Sequence, residues 1–248
     1  MVAPSQNHPN LLVRKLESIF LLSEDERAAL DSMPMQVVSL RADQDIVREG
    51  DRPSRSCLLL KGYSCTYKMT GDGKRQIMAF HMAGDIPDLQ SLHLKVLDNS
   101  IATLTPCRVG FIQHETLQAL CERYSRITSA LWRETLVDAA VFREWMTNIG
   151  QREAYNRIAH LLCEWLVRLR AVGLAQGTTC ELPMTQAELA DAQGTSNVHI
   201  NRVLKKLRRD GLITLKGSTL TVLNWDELQA VGDFHPLYLH LEQNQAAA

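Results

Sequence analysis

The chain has 248 residues, with 27 Lys plus Arg against 28 Asp plus Glu, so its net charge at neutral pH is −1. Hydrophobic residues make up 45% and charged residues 22%, ordinary usage for a folded chain, which excludes a disordered, fibrous or uniformly basic protein. No apolar run approaches the roughly 20 residues of a membrane helix, the start of the chain has neither basic residues nor an apolar signal core, and six cysteines without a C-x-x-C pair point to reduced thiols and a cytoplasmic location.

Leu11 to Leu30 reads as helical, with Leu12, Leu16, Ile19 and Phe20 on one face, and Ser23-Glu24-Asp25-Glu26 is a capping box that opens a second helix. From about Gln36 to Ile112 the texture changes to short β-prone stretches: 36–40, 45–48, 57–60, 64–68, 76–80, 101–104 and 108–112. Gly50-Asp51, Lys61-Gly62, Gly71-Asp72-Gly73 and Gly84-Asp85 mark the corners. Many short strands at near-regular spacing imply an antiparallel sandwich or a closed barrel, because both layouts hide strand edges.

Ser125 to Ile149 lacks Gly and Pro and predicts one helix about 37 Å long. Ile127, Leu131, Val137, Val141, Phe142, Trp145 and Ile149 give it more apolar surface than one neighbouring barrel would cover. Part of that surface, with Ile127, Leu131, Val137, Val141 and Trp145 as its residues, is expected at a dimer seam. The alternative is that the helix packs on its own barrel, and Glu134, Asp138 and Glu144 do interrupt the heptad. Gly150 is read as the break, followed by a second helix from Arg152 to Arg170 that opens a new domain. The expected division is therefore 1–124, a helix at 125–149, and 150–248.

The most specific signal comes next. Thr185-Gln186-Ala187-Glu188 is another capping box, and Gly194 supplies the left-handed conformation that ends the helix it starts. A second helix begins at Thr195 or Ser196, with Ile200, Val203, Leu204 and Leu207 at i, i+3, i+4, i+7 on its inner face. Asn197, Val198, Asn201, Arg202 and Lys205 fall on its open face. Helix, glycine turn, helix is the helix-turn-helix arrangement, whose second helix enters the DNA major groove. Two alternating strands, Leu212–Leu215 and Thr219–Leu223, then flank a Lys216-Gly217-Ser218 turn and make a wing. Between His199 and Ser218 there are six cations and one anion, a basic island in a neutral chain. Arg202 is suited to guanine or phosphate, Asn197 or Asn201 to adenine, and Val198 to a thymine methyl. Thr185, Gln186, Ser196 and Lys216 are suited to phosphates, with Thr195 and His199 completing the candidate contact set.

Taken together, Glu49-Gly50-Asp51, Leu60-Lys61-Gly62, Gly71-Asp72-Gly73, Gly84-Asp85 and the run from Thr185 to Gly211 make the chain resemble the Crp/Fnr superfamily of bacterial transcription regulators. The resemblance implies an α+β fold: an N-terminal antiparallel β-roll (a double-stranded β-helix or jelly roll), a long dimerisation helix and a C-terminal winged helix-turn-helix. It also implies a homodimer on a two-fold symmetric stretch of double-stranded DNA, with RNA polymerase as a further partner and no membrane. A signal in the β-roll is then expected to act through a hinge near Asn148–Arg152.

The sequence departs from the family where a cyclic nucleotide would bind. Cyclic-AMP-binding members carry a Gly-Glu pair after the Gly84-Asp85 landmark and, ten residues beyond that Glu, an Arg followed by Ser or Thr. Here these positions read Asp88-Leu89 and Asn99-Ser100. Leu89 cannot accept from a ribose hydroxyl, Asn99 lacks the charge that a buried phosphate needs, and Asp88 would repel one. Cyclic AMP is therefore not expected as the effector, and no cofactor is assigned. No cysteine precedes Cys57, which removes an N-terminal iron–sulfur cluster, and Cys65, His81, His93 and His114 are more simply structural than haem ligands. Two other readings remain: a DNA-binding regulator without an effector, and a redox switch through Cys57, Cys65 or Cys107. Nothing resembles metal-ligand spacing, a phosphate loop or G-x-S-x-G, so an enzyme is not expected.

Overall fold

Two short capped helices begin the part of the chain that the computed structural model describes, residues 8–242. The outermost parts of the polar start and of the polar tail lie outside it. In α1 (Leu11–Glu17) the Asn10 side chain accepts from the Leu12 N–H, and α2 (Glu24–Asp31) has the Ser23–Glu26 capping box. Seven strands follow: β1 (Gln36–Leu40), β2 (Asp45–Val47), β3 (Arg55–Lys61), β4 (Ser64–Met69), β5 (Arg75–His81), β6 (Ser100–Thr103) and β7 (Cys107–Gln113). They pair antiparallel into two sheets, ordered β1-β7-β3 and β2-β6-β4-β5, which close into the expected β-roll. Gly84 sits at one corner with φ of +102°, and a Cβ there would lie 2.6 Å from the Leu11 carbonyl oxygen. Only glycine lets α1 lie this close to the roll.

Helix α3 (His114–Arg123) leads into α4 (Ser125–Gln151), the long helix. It runs straight through Gly150, since one glycine costs a helix only about 1 kcal/mol. The chain instead turns at Arg152 and Glu153, both extended, before α5 (Ala154–Ala171). The break expected at Gly150 thus falls two residues later, where Arg152 is pinned by Glu144 at 2.7 Å and Asp233 at 3.0 Å. Beyond α5 come β8 (Thr179–Glu181), α6 (Gln186–Gln193), α7 (Asn197–Arg209), β9 (Ile213–Lys216), β10 (Thr219–Val222) and α8 (Trp225–Gly232). The wing strands β9 and β10 are joined by β8 in the order β8-β10-β9. Three-residue β8 gives no periodic signal in the sequence.

Among the described residues, two large cores join the elements and two smaller apolar clusters fill the roll. Leu12, Leu16, Leu30, Leu58, Ile112, Leu117, Ile127 and Leu131 seal the N-terminal helices and the start of α4 against the roll. The second core crosses the domain boundary: Phe80 and Met82 of the roll meet Val141 and Trp145 of α4 and Ile158, Trp165 and Leu166 of α5. The Phe80 ring stands edge-on to Trp145 and Trp165, with centroids 5.6 and 6.3 Å away.

This packing corrects the reading of α4. Ile127, Leu131, Val137, Val141 and Trp145, the residues expected at a dimer seam, are all buried against their own chain. A different stripe faces solvent: Trp132 is 67% exposed and Met146 73%, with Leu136, Phe142 and Ile149 between and beyond them. Apolar residues lie on more than one side of this helix, and periodicity alone cannot say which side meets the roll.

Candidate nucleic-acid interface and its link to the roll

The helix-turn-helix is set by local chemistry. The Thr185 hydroxyl accepts from the Glu188 N–H, while Glu188 Oε2 accepts from the Thr185 N–H at 2.6 Å and from its hydroxyl at 2.8 Å. Gly194 ends α6 at φ +60°, and the Thr195 N–H returns to the Ala190 carbonyl. Ser196 then caps α7 by accepting from the His199 N–H. Leu189 and Ala190 of α6 pack with Ile200, Leu204 and Leu207 of α7, so the angle between the helices is fixed by burial.

The outer face of α7 carries the open residues. Asn197, Val198, Arg202, Lys205 and Arg208 are exposed, and Val198 is 71% exposed. Lys216 stands at the tip of the wing beside Gly217. Arg202, Lys205, Arg208 and Lys216 have no hydrogen-bond or ion-pair partner among the described residues. Not every cation is free. Lys206 lies over the Tyr155 ring at 4.0 Å, and the Tyr155 hydroxyl donates to Asp210, which also pairs with Arg209 at 3.5 Å. Thr185 is likewise committed, since its hydroxyl hydrogen goes to Glu188, so the phosphate contact expected of it would have to come from elsewhere on the helix end. Gln186 is exposed beside it and accepts from the Asn201 side-chain amide at 3.0 Å.

The module is docked on its own β-roll. Arg75 of β5 pairs with Asp191 of α6 at 2.8 Å, and Gln76 donates to the Ala192 carbonyl. Deeper in, Lys15 of α1 pairs with Asp85 at 2.9 Å and with Glu134 of α4 at 3.0 Å. Arg168 of α5 reaches Glu164 at 3.4 Å, Asp85 at 3.6 Å and the Phe80 carbonyl at 3.0 Å. Burial pulls the Lys15 ammonium down, but Asp85 and Glu134 outweigh it and hold it above its usual range. Burial pushes Asp85 up, and Lys15 and Arg168 more than reverse this. With Asp138 added, four carboxyls face two cations. Burial and then the Glu134 charge raise Asp138 to about 7, so near neutral pH the cluster keeps a proton. Glu134 and Asp138, which break the heptad in the sequence, are thus the inward side of the interdomain joint. Lys15 and Arg168 leave no trace in the sequence, because an isolated charge ordinarily means a solvated face.

Most of the degenerate cyclic-nucleotide positions are engaged by the protein itself, although the buried Asn99 Nδ2 has no hydrogen-bond partner among the described residues. Asp88 is buried and accepts from the Cys57 N–H at 2.7 Å; burial raises its carboxyl to about 7, against that hydrogen bond. Ser100 accepts from the Glu49 N–H, and Asn99 from the Gln90 amide. Leu89 is buried, and Gly84 and Asp85 belong to the α1 contact and the charge cluster. His81 bonds the Thr66 hydroxyl at 2.8 Å and His114 the Ser91 hydroxyl at 3.0 Å, while burial lowers the His81 imidazole to about 4. Cys57, Cys65 and Cys107 are buried, and burial pushes all three thiols up, Cys65 to about 12. Thiols held protonated are poor redox switches. Among the described residues no group of His, Cys, Asp and Glu is placed to hold a metal ion, and no helix is long and apolar enough to cross a membrane.

Comparison with known proteins agrees with this geometry. The Crp-like helix-turn-helix domain family matches residues 156–231, and the cyclic nucleotide-binding domain family matches residues 37–124. The chain belongs to the Crp/Fnr superfamily. Among curated relatives of this Crp/Fnr chain, the fumarate and nitrate reduction regulatory protein of Vibrio cholerae is 23% identical over 209 residues, 84% of this chain and 83% of the relative. The transcriptional activator protein FnrL of Cereibacter sphaeroides is 25% identical over 182 residues, 72% of this chain and 73% of the relative. The solved structure of FixK2 from Bradyrhizobium japonicum shares the fold with a TM-score of 0.73 at 23% identity, covering 80% of this chain and 98% of that one. These relatives are transcription regulators, not enzymes, and this Crp/Fnr chain is a DNA-binding transcription regulator with a sensory cyclic nucleotide-binding-like domain.

Proposed function

We propose that the regulator acts in the cytoplasm as a homodimer that reads a two-fold symmetric DNA site, placing α7 of each copy in a major groove and responding to a signal other than cyclic AMP. The observation that carries this reading is the division of α7: Ile200, Val203, Leu204 and Leu207 are buried on one side, while Val198, Arg202 and Lys205 stand open and unpaired on the other. An amphipathic helix whose open-face cations Arg202 and Lys205 have no partner among the described residues is suited to an external polyanion. In this reading Arg202 reads guanine, Val198 meets a thymine methyl, and Asn197 and Asn201 serve adenine. Ser196, Thr195, His199, Lys205 and Lys216 hold the backbone.

The exposed stripe Trp132, Leu136, Phe142, Met146 and Ile149 supports dimerisation through α4, with near-heptad spacing along the helix. The internal partners of Asp88, Asn99 and Ser100, and the absence of a cation among these three, support an effector other than cyclic AMP. Titration calorimetry with cyclic AMP is accordingly expected to give no saturable heat. Contact with RNA polymerase, which the family implies, belongs to the same reading. The deciding experiment selects bound duplexes from a random pool and compares wild type with Arg202→Ala. Wild type should enrich an inverted repeat, and the variant should lose about ten- to hundredfold in discrimination at one position per half-site. Unchanged discrimination would refute the role of Arg202, and the absence of any enriched site in the wild type would refute sequence reading itself.

A further inference from the structure

Resting on that DNA-reading assignment, the geometry points to Gln186 as a positioning residue for sequence recognition: by accepting a hydrogen bond from the Asn201 side chain, it holds that amide in the orientation that reads adenine. The two residues lie fifteen positions apart in sequence and on different helices, yet Asn201 Nδ2 is 3.0 Å from Gln186 Oε1.

Their placement is fixed from behind. Gln186 is the first residue of α6, directly after the Thr185 cap, whose capping box with Glu188 freezes that helix end. Asn201 is one turn into α7, beside buried Ile200 and one residue before exposed Arg202. Gly194 and the apolar contacts between α6 and α7 hold the two backbones at a set distance. A hydrogen bond between side chains carried on two locked helices selects a rotamer rather than stabilising the fold.

The donor and acceptor inventory then decides what Asn201 can offer. A side-chain amide has two N–H donors and one carbonyl oxygen. Gln186 takes one donor, leaving one N–H and Oδ1, the pair that meets N7 and the N6 amino group of adenine in the major groove. Without Gln186, the amide can turn over and exchange its donor and acceptor edges, so adenine loses its advantage. This differs from the phosphate contact that the sequence suggests for Gln186. A phosphate anchor strengthens binding to every sequence alike and adds to the salt dependence. An orienting residue changes one base position and leaves the salt dependence alone.

The full-length protein is used for the test. Bound duplexes are selected with wild type, Gln186→Ala, Gln186→Glu, Asn201→Ala and the double variant Gln186→Ala/Asn201→Ala. Affinities are then measured on the wild-type site and on copies with the adenine replaced, at several salt concentrations, with thermal melts confirming folding. Asn201→Ala should erase an adenine preference at one position per half-site. Gln186→Ala should erode discrimination at that same position by about tenfold, with neighbouring positions and the salt slope unchanged. Gln186→Glu, which keeps an acceptor, should restore the preference, and the double variant should lose no more than Asn201→Ala alone. Uniform weakening of all sequences by Gln186→Ala, with a shallower salt slope, would make Gln186 a phosphate anchor and overturn the proposal. So would an unaltered preference in that variant. A wild type that enriches no site would overturn DNA reading itself, a result distinguishable from either.

Discussion

Along α7, Arg202, Lys205 and Arg208 stand in solvent with no partner among the described residues, whereas Lys15 and Arg168 lie among Asp85, Glu134, Asp138 and Glu164 where α1, the β-roll, α4 and α5 meet. Charge is free at the first place because an outside partner will neutralise it. At the second, removal from water forces every charge to find an internal partner, or a proton, before the domains can close. A region that waits for a ligand can lose a charge without harm to folding. A region that joins two domains cannot.

The sharpest way to break this contrast is to remove one cation from each. Arg168→Ala leaves Asp85 and Glu164 short of a buried counter-charge and should cost about 3–5 kcal/mol of stability. Arg202→Ala should cost under about 0.5 kcal/mol. Denaturant melts of the two variants check this, and similar losses would erase the distinction. A smaller effect is expected from placing a charge on the open side of α4. Met146→Glu should weaken self-association by about tenfold or more while the subunit stays folded, because a carboxylate would be buried at the seam. Sedimentation across a concentration series measures it, and an unchanged dimer would move the interface off this stripe.

The smallest change concerns pH. The Asp138 carboxyl is raised to about 7 in the fold against 3.8 in a model peptide. Between these values the unfolded chain releases the proton and the native state keeps it, so this group makes stability fall as pH rises from about 4 to about 7. His81, lowered to about 4, acts oppositely, because there the unfolded chain binds the extra proton up to about 6.5. Asp88, also raised to about 7, adds to the fall. Asp138→Asn removes one of these falling contributions, so its stability relative to wild type should rise across that window. Parallel pH profiles for the two proteins would remove Asp138 from the cluster's proton balance.

Much of the fold is legible in the sequence because its signals are local. The seven strands of the roll fall within a few residues of where alternation and Gly-Asp corners put them, and the Ser23 and Thr185 capping boxes form as their spacing demands. The recognition helix is legible for the same reason, since a glycine turn and an i, i+3, i+4, i+7 row fix which side is buried. The α4 seam is less so. Its apolar residues lie on two faces, and Ile127, Leu131, Val137, Val141 and Trp145 go to the chain's own core while Trp132, Leu136 and Met146 stay outside. The turn after α4 also escapes, because Arg152 is held there by Glu144 and by distant Asp233.

The sequence by itself determined the order of modules, the helix-turn-helix with its cationic open face, and the loss of the cyclic-nucleotide partners at Leu89 and Asn99. Each depends on residues near one another in the chain. Only the tertiary structure decided which face of α4 is free, which cations of the basic island are already engaged, that Gln186 bonds Asn201, and that Lys15 and Arg168 lock the domains together. Those outcomes are contacts between residues far apart in sequence. Burial sets their sign and strength, and burial does not exist until the chain has closed around them.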